Sequence, residues 1–305
     1  MKLKFSNSNQ SQPDPFIFED NGRYYLYVTA HEGVQAYSAD CVDDVWKDEG
    51  IIMRVDGATG FWAPCIIRIG DMYYIYVSFS TSDFDERLHV ASSRSPLGPF
   101  TDVKQIYDRF TIDSHVVKTS AGLFLFYAED NTNGEKIGTR VFVDRLKNPT
   151  TPENICREII VPTMIQERYT AKTHPNNWYT IEGPFWFRDG DWQYLMYSGG
   201  CYQNDTYHIG YAAAKSTKED LTKVDFIKHT ENGSFAPVLF RNEDEEGVGH
   251  HSVINIGGQW YACYHGRDVI AGEKSDCYQE RRTARICKLH VNDGIITAER
   301  IDRMP

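Results

Sequence analysis

The sequence predicts an all-β fold, a five-bladed β-propeller, and three observations support this. Five segments share one pattern, in which an apolar, aromatic-rich strand leads through a glycine turn into a second strand of similar character. The turn glycines recur at intervals of 48, 52, 68 and 68 residues, close to the length of a four-stranded blade. Helical periodicity is almost absent from the chain. The turn glycines are Gly22, Gly70, Gly122, Gly190 and Gly258.

The first segment shows why each repeat is interpreted as a β-hairpin. Its two strands, Phe16 to Phe18 and Tyr24 to Val28, are rich in aromatic and β-branched residues that suit a half-buried pleated surface. The residues Asp20-Asn21-Gly22 between them are typical of a tight turn. The same order follows in WAPCIIRIGDMYYIYV, DSHVVKTSAGLFLFY, EGPFWFRDGDWQYLMY and HHSVINIGGQWYACY.

The five repeats predict one domain, because each blade must bury its faces against its neighbours. Residues 1–305 contain no linker and are expected to form a single propeller. The wider spacing across residues 131–180 predicts a blade with long loops, and Gly200 to Tyr207 predicts another loop. Only Ser216 to Val224 has the character of a helical turn, with Ser216 as its cap and Glu219 three residues later.

The amino-acid composition indicates which classes of partner the protein can bind. With 32 basic and 43 acidic side chains the net charge is −11, which disfavours nucleic acid and suits a neutral substrate. No segment has the length and hydropathy of a membrane span. Aromatic residues make up 13% of the chain; propeller packing uses most of them, and a minority could stack on sugars.

The N-terminus and the cysteines predict the compartment. The first residues carry two lysines but no apolar run of the length that an export signal requires. The seven cysteines form no CxxC pair, so they are expected to be reduced, mainly buried thiols, and a structural zinc site is not supported. A cytoplasmic protein is therefore expected, and the sequence makes no prediction about its oligomeric state.

Residues whose side chains could act in catalysis or binding lie about eight positions before the repeat glycines. Inner strands of a propeller run beside the central axis, so residues at matching positions should converge at one end of the channel. Each alone has an ordinary explanation, such as a turn for Asp14 or core packing for Trp62, but the shared offset favours one site. The matching residues are Asp14, Trp62, Ser114 with Asp113 beside it, Glu182 and His250.

Three carboxylates in one pocket favour acid–base chemistry, because mutual repulsion separates their protonation states. Hydrolysis of a glycosidic bond needs one carboxylic acid at the leaving oxygen and one carboxylate on the opposite side. Asp14 and Glu182 come from blades one and four and should face each other. A separation of about 6.5 to 9.5 Å, the range of inverting enzymes, is expected.

These motifs resemble glycoside hydrolase family 43 from about residue 13 to the C-terminus. The resemblance rests on the order and spacing of Asp14-Pro15, Trp62-Ala63-Pro64, Ile112-Asp113, Glu182-Gly183-Pro184 and Gly249-His250. It implies a five-bladed propeller that cleaves arabinofuranosyl or xylosyl linkages with inversion. It further implies that Asp14 is the general base, Glu182 the general acid, and Asp113 the carboxylate that raises the pKa of the acid and orients it.

The resemblance also assigns subsidiary residues. It implies that His250 is the axial histidine, which faces a hydrated calcium ion in the central channel of many relatives; a hydrogen bond to a catalytic carboxylate is the alternative. No cofactor is otherwise required. In the closing segment, Arg282 is the residue expected to reach the pocket, with a solvated strand-edge arginine as the alternative. Trp62, His250 and Arg282 are therefore the predicted substrate-binding residues.

Two observations indicate an exo-acting enzyme that trims short plant-derived oligosaccharides. Pro13 stands where endo-acting arabinanase relatives usually have a histidine. The predicted cytoplasmic location also excludes polymers as substrates. The leading hypothesis is an α-L-arabinofuranosidase or β-D-xylosidase. A β-galactosidase or fructosidase with the same mechanism remains open, as does a propeller that binds carbohydrate without cleaving it.

Overall fold

A computed structural model describes residues 1–7, 10–82, 85–171, 174–272 and 280–304. Their strands form five sheets, one from each predicted repeat, and the predicted all-β five-bladed propeller is confirmed. The strands of each sheet follow chain order from the axis outward, except for the N-terminal strand at the outer edge of blade one and the short strands at the outer edge of blade three. Neighbouring strands of the hairpins are antiparallel.

The first two blades contain five and four strands. Blade one comprises β1 (Lys4–Phe5), β2 (Phe16–Asp20), β3 (Arg23–Val28), β4 (Val34–Ala39) and β5 (Val45–Met53). Blade two comprises β6 (Thr59–Ile69), β7 (Met72–Ser80), β8 (Arg87–Ser93) and β9 (Thr101–Gln105).

The third blade is the largest, as the wide repeat spacing predicted. It comprises β10 (Ile112–Thr119), β11 (Gly122–Asn131), β12 (Ile137–Asn148), β13 (Thr151–Pro152), β14 (Arg157–Ile160) and β15 (Trp178–Tyr179). Blade four comprises β16 (Ile181–Asp189), β17 (Trp192–Gly199), β18 (His208–Lys215) and β19 (Ile227–Lys228). Blade five comprises β20 (Glu245–Ile256), β21 (Gln259–Asp268), β22 (Thr283–Asn292) and β23 (Ile295–Arg300).

Two short 3₁₀ helices, Ile165–Glu167 and Leu221–Lys223, are the helical elements of the described residues. The second lies inside the segment predicted to hold a helical turn, but its cap is Asp220 rather than Ser216. The Asp220 side chain accepts a hydrogen bond from the backbone N–H of Thr222. Ser216 instead accepts from Lys218 N–H in the preceding turn, because a carboxylate next to the helix start is the better placed acceptor.

The core consists of the five interfaces between blades. The central strands of each blade bury both faces, and their alternate side chains pack against different neighbours. In β11, Leu125 and Tyr127 pack against blade two, whereas Phe124 and Phe126 pack against blade four. One apolar cluster of this kind lies at each of the five interfaces, so every blade is held from both sides.

The N-terminal segment closes the ring. Met1 and Leu3 hydrogen-bond to Ala284 and Ile286 of β22, while β1 pairs in parallel with β5 of blade one. The segment therefore lies between the third strand of blade five and the outer strand of blade one. Leu3 is buried in the apolar cluster of this interface, which adds side-chain packing to the backbone pairing.

The structure also bears on the predicted hairpin turn, on the cysteines and on membrane-spanning segments. Asn21 and Gly22 both have positive φ, 54° and 77°, as the primed turn of a two-residue hairpin requires. The six described cysteines are free thiols, and Cys277 lies outside the described residues. Among the described residues there is no helix whose length and apolar character would let it cross a membrane.

Candidate active site

Each inner strand has a left-handed residue beside the pocket, within the strand or just before it; β6 and β20 each carry a second one, Gly60 and Gly247. The left-handed residues beside the pocket have φ between 44° and 60° and lie beside or within register shifts of the β-ladder in blades two to five. A bulge turns the side chain next to it and is a common way to direct a functional group. The left-handed residues beside the pocket are Asp14 (55°), Ala63 (45°), Asp113 (60°), Gly183 (56°) and His250 (44°).

The bulge refines the offset predicted from the repeat. In blades one, three and five the functional residue itself has the left-handed backbone: Asp14, Asp113 and His250. In blades two and four the structural match is Ala63 or Gly183, one residue after the predicted Trp62 or Glu182. Counting from the glycine could not detect this shift, because a bulge adds a residue to one strand without changing the sequence pattern.

Side chains from the second strands fix these positions across blade interfaces. The Ala63 N–H donates to Thr29 Oγ1 at 2.7 Å, and the His250 N–H donates to Ser198 Oγ at 2.7 Å. The Asp14 N–H donates to Nδ1 of His265 at 3.1 Å. The inner strands are therefore held in register by the preceding blade, and a site built from several blades stays rigid.

The site is a pocket of about 180 Å³ at one end of the axis. This is smaller than the roughly 300 Å³ at which pockets for drug-sized ligands begin, so it suits a ligand of the size of one sugar ring. All the predicted site residues line it. The lining residues are Asp14, Thr29, Trp62, Ile112, Asp113, Glu182, Tyr202, Tyr207, His250 and Arg282.

Asp14 lies among hydrogen-bond donors and cationic groups. Its Oδ2 accepts from the Thr29 hydroxyl at 2.6 Å, and its Oδ1 accepts from Arg282 Nη1 at 3.2 Å. His250 Nδ1 is 3.3 Å and His265 Nδ1 is 3.2 Å from the same Oδ1. Burial alone would raise the pKa of Asp14, but His250, Arg282 and His265 together hold it well below its usual range. Asp14 is therefore an ionised carboxylate at neutral pH.

Glu182 and Asp113 are in the opposite electrostatic situation. Burial, followed by the charge of Asp113, raises the pKa of Glu182 to about 8. Burial, followed by the charge of Asp14, likewise raises the pKa of Asp113, although the Gly183 N–H donates to its Oδ2 at 3.0 Å. Two carboxyl groups so close together titrate as a pair, and the pair retains a proton near neutral pH. Glu182 also accepts a hydrogen bond from the Tyr207 hydroxyl at 2.5 Å.

His250 lies between the carboxylates, where the pocket meets the central channel. Its Nδ1 faces Asp14, and its Nε2 is 3.9 Å from Asp113 Oδ1. The neighbouring His251 lines the channel below the pocket but not the pocket itself, whereas His250 lines both. Adjacent strand residues point to opposite faces, so the bulge at His250 decides which of the two neighbouring imidazoles faces the pocket. The expectation that His250 faces an axial cation stays a prediction.

The channel lining does not fit the hydrated calcium ion that the resemblance implied. Rings from four blades, Phe16, His115, Phe185 and His251, fill it, and centroids of His115 and Phe185 are 3.9 Å apart. The remaining cavity is about 20 Å³, close to the space of a single water. A hydrated Ca²⁺ carries about six to eight oxygen ligands, and a space for about one water cannot hold their waters.

A second candidate cation position lies in the pocket itself. One ligand atom each from Asp113, Glu182 and His250 lie within 4.8 Å of one another. A divalent ion there would displace the proton that Glu182 retains, because a bound cation lowers the pKa of its ligands. A proton and a divalent ion would therefore compete for this position.

Arg282 and Trp62 complete the walls of the pocket. Arg282 lies 4.8 Å from the centroid of the Tyr202 ring and pairs with Glu280 at 2.8 Å besides contacting Asp14. The stacked, doubly paired guanidinium is fixed in position, unlike that of a solvated strand edge. Trp62 is half-buried and presents its indole to the pocket, where a flat apolar surface can stack on a sugar.

Four residues of the site were not predicted from the sequence: Thr29, Tyr202, Tyr207 and His265. A signal for two of them exists in the repeat. Thr29 and His265 both follow their turn glycine by seven residues, at the end of the second strand. The two tyrosines belong to the predicted loop between β17 and β18, which has no repeat counterpart.

Fold and site together define a β-propeller hydrolase with a carboxylate-lined pocket at one end of its axis. The chain belongs to the glycosyl hydrolases family 43, whose sequence profile matches residues 7–296. It is therefore a glycosidase that hydrolyses glycosidic bonds, and the non-catalytic binding alternative is not supported.

Relatives and solved structures agree with this membership. The chain is 24% identical over 282 residues to arabinan endo-1,5-alpha-L-arabinosidase A of Aspergillus niger, covering 83% of this chain and 81% of the relative. It is 26% identical over 304 residues to alpha-L-arabinofuranosidase B of Pyricularia oryzae, covering 92% of this chain and 60% of the relative. A thermostable family-43 glycoside hydrolase superposes with a TM-score of 0.81 and 26% identity, covering 97% of this chain and 95% of that chain.

Proposed function

We propose that the enzyme cleaves its substrate with inversion, with Asp14 as general base and Glu182 as general acid. The observation that supports this is the opposite electrostatic state of two carboxyl groups in one pocket. The pKa of Asp14 is held well below its usual range, and that of Glu182 is raised to about 8. One group is ready to accept a proton and the other to donate one at the same neutral pH.

In the proposed reaction, Glu182 protonates the glycosidic oxygen as its bond to the anomeric carbon breaks. Asp14 removes a proton from a water molecule that attacks the anomeric carbon from the other face, and the free sugar leaves with inverted configuration. Thr29 and Arg282 occupy both oxygens of Asp14 and so orient the base.

Asp113 is proposed to act on Glu182 rather than on the substrate. Its charge is the second largest cause of the raised pKa of Glu182, after burial. It also accepts the Gly183 N–H, which ties it to the residue that follows the acid. Asp113 therefore sets both the proton affinity and the local backbone of Glu182.

We propose that the sugar removed is a terminal arabinofuranosyl or xylosyl residue of a short plant-derived oligosaccharide. The small pocket, with Trp62, Tyr202 and Arg282 in its wall, supports an exo-acting enzyme that takes one sugar ring. The names of the relatives agree with arabinose as the sugar, and an arabinofuranosidase is among them. Other sugars cleaved by the same mechanism, galactose or fructose, would be distinguished by a panel of nitrophenyl glycosides.

An endo-acting arabinanase is the second candidate. It is favoured by the endo-acting names of several relatives and by a cavity of about 560 Å³ that adjoins the pocket at Thr29. Sugar units on both sides of the cleaved bond could occupy such a groove. Product size separates the candidates: monosaccharide from the first minutes indicates exo action, and a ladder of oligosaccharides indicates endo action.

The test of the proposal is hydrolysis of arabino-oligosaccharides and xylo-oligosaccharides, followed by proton NMR of the new anomeric centre. Release of sugar with inverted configuration is the expected result. Retention would replace water activation by a covalent nucleophile, and the absence of release from any substrate would contradict the choice of sugar.

A further inference from the structure

We infer that Tyr207 is the positioning residue that determines which oxygen of Glu182 carries the catalytic proton. The inference rests on the proposed role of Glu182 as general acid. The Tyr207 hydroxyl donates to Glu182 Oε1 at 2.5 Å, so Oε1 acts as an acceptor. The transferable proton of the neutral acid must then be on Oε2.

The phenol keeps its own proton in this position and can donate it in a hydrogen bond. Tyr207 is fully buried, and burial, followed by the charge of Glu182, holds its pKa well above its usual value. It therefore does not exchange roles with Glu182 by losing its own proton at neutral pH. A hydrogen bond to a carboxylate favours the ionised form, so this contact opposes burial and Asp113, which raise the pKa of Glu182.

The ring of Tyr207 is held so that its hydroxyl has one direction. A Cβ placed at Gly249 would lie 2.1 Å from Cε1 of the ring, so the ring packs directly on the backbone of blade five. On the imidazole of His265 the ring stacks with a centroid distance of 5.6 Å and an interplanar angle of 10°. Gly249 in the Gly249-His250 motif is thus explained as the space that the tyrosine requires.

The loop that carries Tyr207 is also braced. Asn204 donates to Thr170 at 2.7 Å, and Thr206 accepts from the Cys201 N–H at 3.1 Å. Tyr202 of the same loop stacks on Arg282, the partner of Asp14. One loop of blade four therefore contacts both the acid and the cation beside the base, and a preorganised donor costs little reorganisation during the reaction.

The test compares wild type with Tyr207→Phe, which removes the hydroxyl and keeps the ring that packs on Gly249. Substrates with poor leaving groups, such as oligosaccharides, should lose tenfold to a hundredfold in kcat. Nitrophenyl glycosides need little protonation and should change less than threefold. The alkaline limb of the pH profile should move to higher pH, because Glu182 loses a bond that favours its ionised form.

The matched control is Tyr107→Phe, in a different part of the propeller. It removes a buried tyrosine hydroxyl that donates at 2.8 Å to a buried carboxylate, Asp144. It should leave the leaving-group dependence and the pH profile unchanged. An equal loss for all leaving groups in Tyr207→Phe, with an unmoved alkaline limb, would reduce Tyr207 to a structural role and overturn the inference.

A second measurement does not depend on turnover. The carboxylic acid band of Glu182, assigned by its absence in Glu182→Gln, can be titrated by difference infrared spectroscopy in wild type and Tyr207→Phe. Disappearance of the band at higher pH in the variant supports the inference, and disappearance at the same pH overturns it. A wild type without activity would contradict the proposed function but leave this titration interpretable.

Discussion

The two sides of the pocket place the same functional group in opposite environments. On the side of Asp14, Arg282 and Thr29 donate to the carboxylate, and burial is outweighed by these partners and the imidazoles. On the side of Glu182, the nearest charged neighbour is another acid, Asp113, and burial is reinforced. The difference teaches that neighbours contributed by other blades, not the carboxylate itself, assign the base and the acid.

Removing the base should have the largest effect. Asp14→Asn keeps the shape of the side chain but leaves nothing to accept the proton of water, so kcat should fall by about 10⁴-fold. Oligosaccharide hydrolysis measures the loss. Asp20→Asn, at the far end of the same hairpin, should retain activity, and a variant Asp14→Asn with near wild-type turnover would refute the assignment.

Removing the acid should have a smaller and more selective effect. Glu182→Gln cannot protonate the leaving oxygen, so oligosaccharide turnover should fall by about 10³-fold. Nitrophenyl glycosides should retain much more of their rate, since their leaving group departs as an anion. A uniform loss over both substrates would argue against the acid role and for simple disruption of the pocket.

Removing the third carboxylate should change the pH profile more than the maximal rate. The charge of Asp113 raises the pKa of Glu182, so Asp113→Asn should lower that pKa. In wild type, activity should decline as pH rises through about 8, where Glu182 loses its proton. The variant should decline at lower pH, and a pH profile of kcat/KM checks the direction; an alkaline limb that moves upward would contradict the argument.

Arg282 tests the other side of the comparison. Its guanidinium helps to lower the pKa of Asp14, so Arg282→Gln should raise that pKa and move the acid limb of the profile to higher pH by about one unit. The alkaline limb, governed by Glu182, should stay nearly in place. A shift of both limbs together would show that the two sides of the pocket are not independent.

Metal removal should have the smallest effect. The ring-filled channel does not fit hydrated calcium, so incubation with EDTA should leave both kcat and Tm unchanged. Measurement by activity assay and thermal unfolding suffices, with an untreated sample dialysed in parallel as the control. A loss that added Ca²⁺ restores would show that the channel accepts the ion after all.

The sequence alone predicted the ring of five blades and the three carboxylates of the pocket. The turn glycines and alternating apolar strands predicted five hairpins, and the offset from the glycines brought Asp14, Asp113 and Glu182 to one place. The place of His251 in the channel wall was not predictable in this way, because a bulge changes which of two neighbouring residues faces the axis. Tyr202 and Tyr207 were missed because their approach depends on the path of a loop without a repeating pattern.

Ring closure by the N-terminal segment has a consequence for folding. Met1 and Ile286, which share two backbone hydrogen bonds, are 285 residues apart. The entropy of closing this loop is lost only when the seam between blades one and five forms. Contacts of such sequence separation are expected late in folding. Asp14 and Arg282 flank the same seam, whereas Trp186 and Trp192 belong to one hairpin of blade four. During refolding, the fluorescence of Trp186 and Trp192 should therefore recover before catalytic activity, and the interval between them would time the closing of the ring.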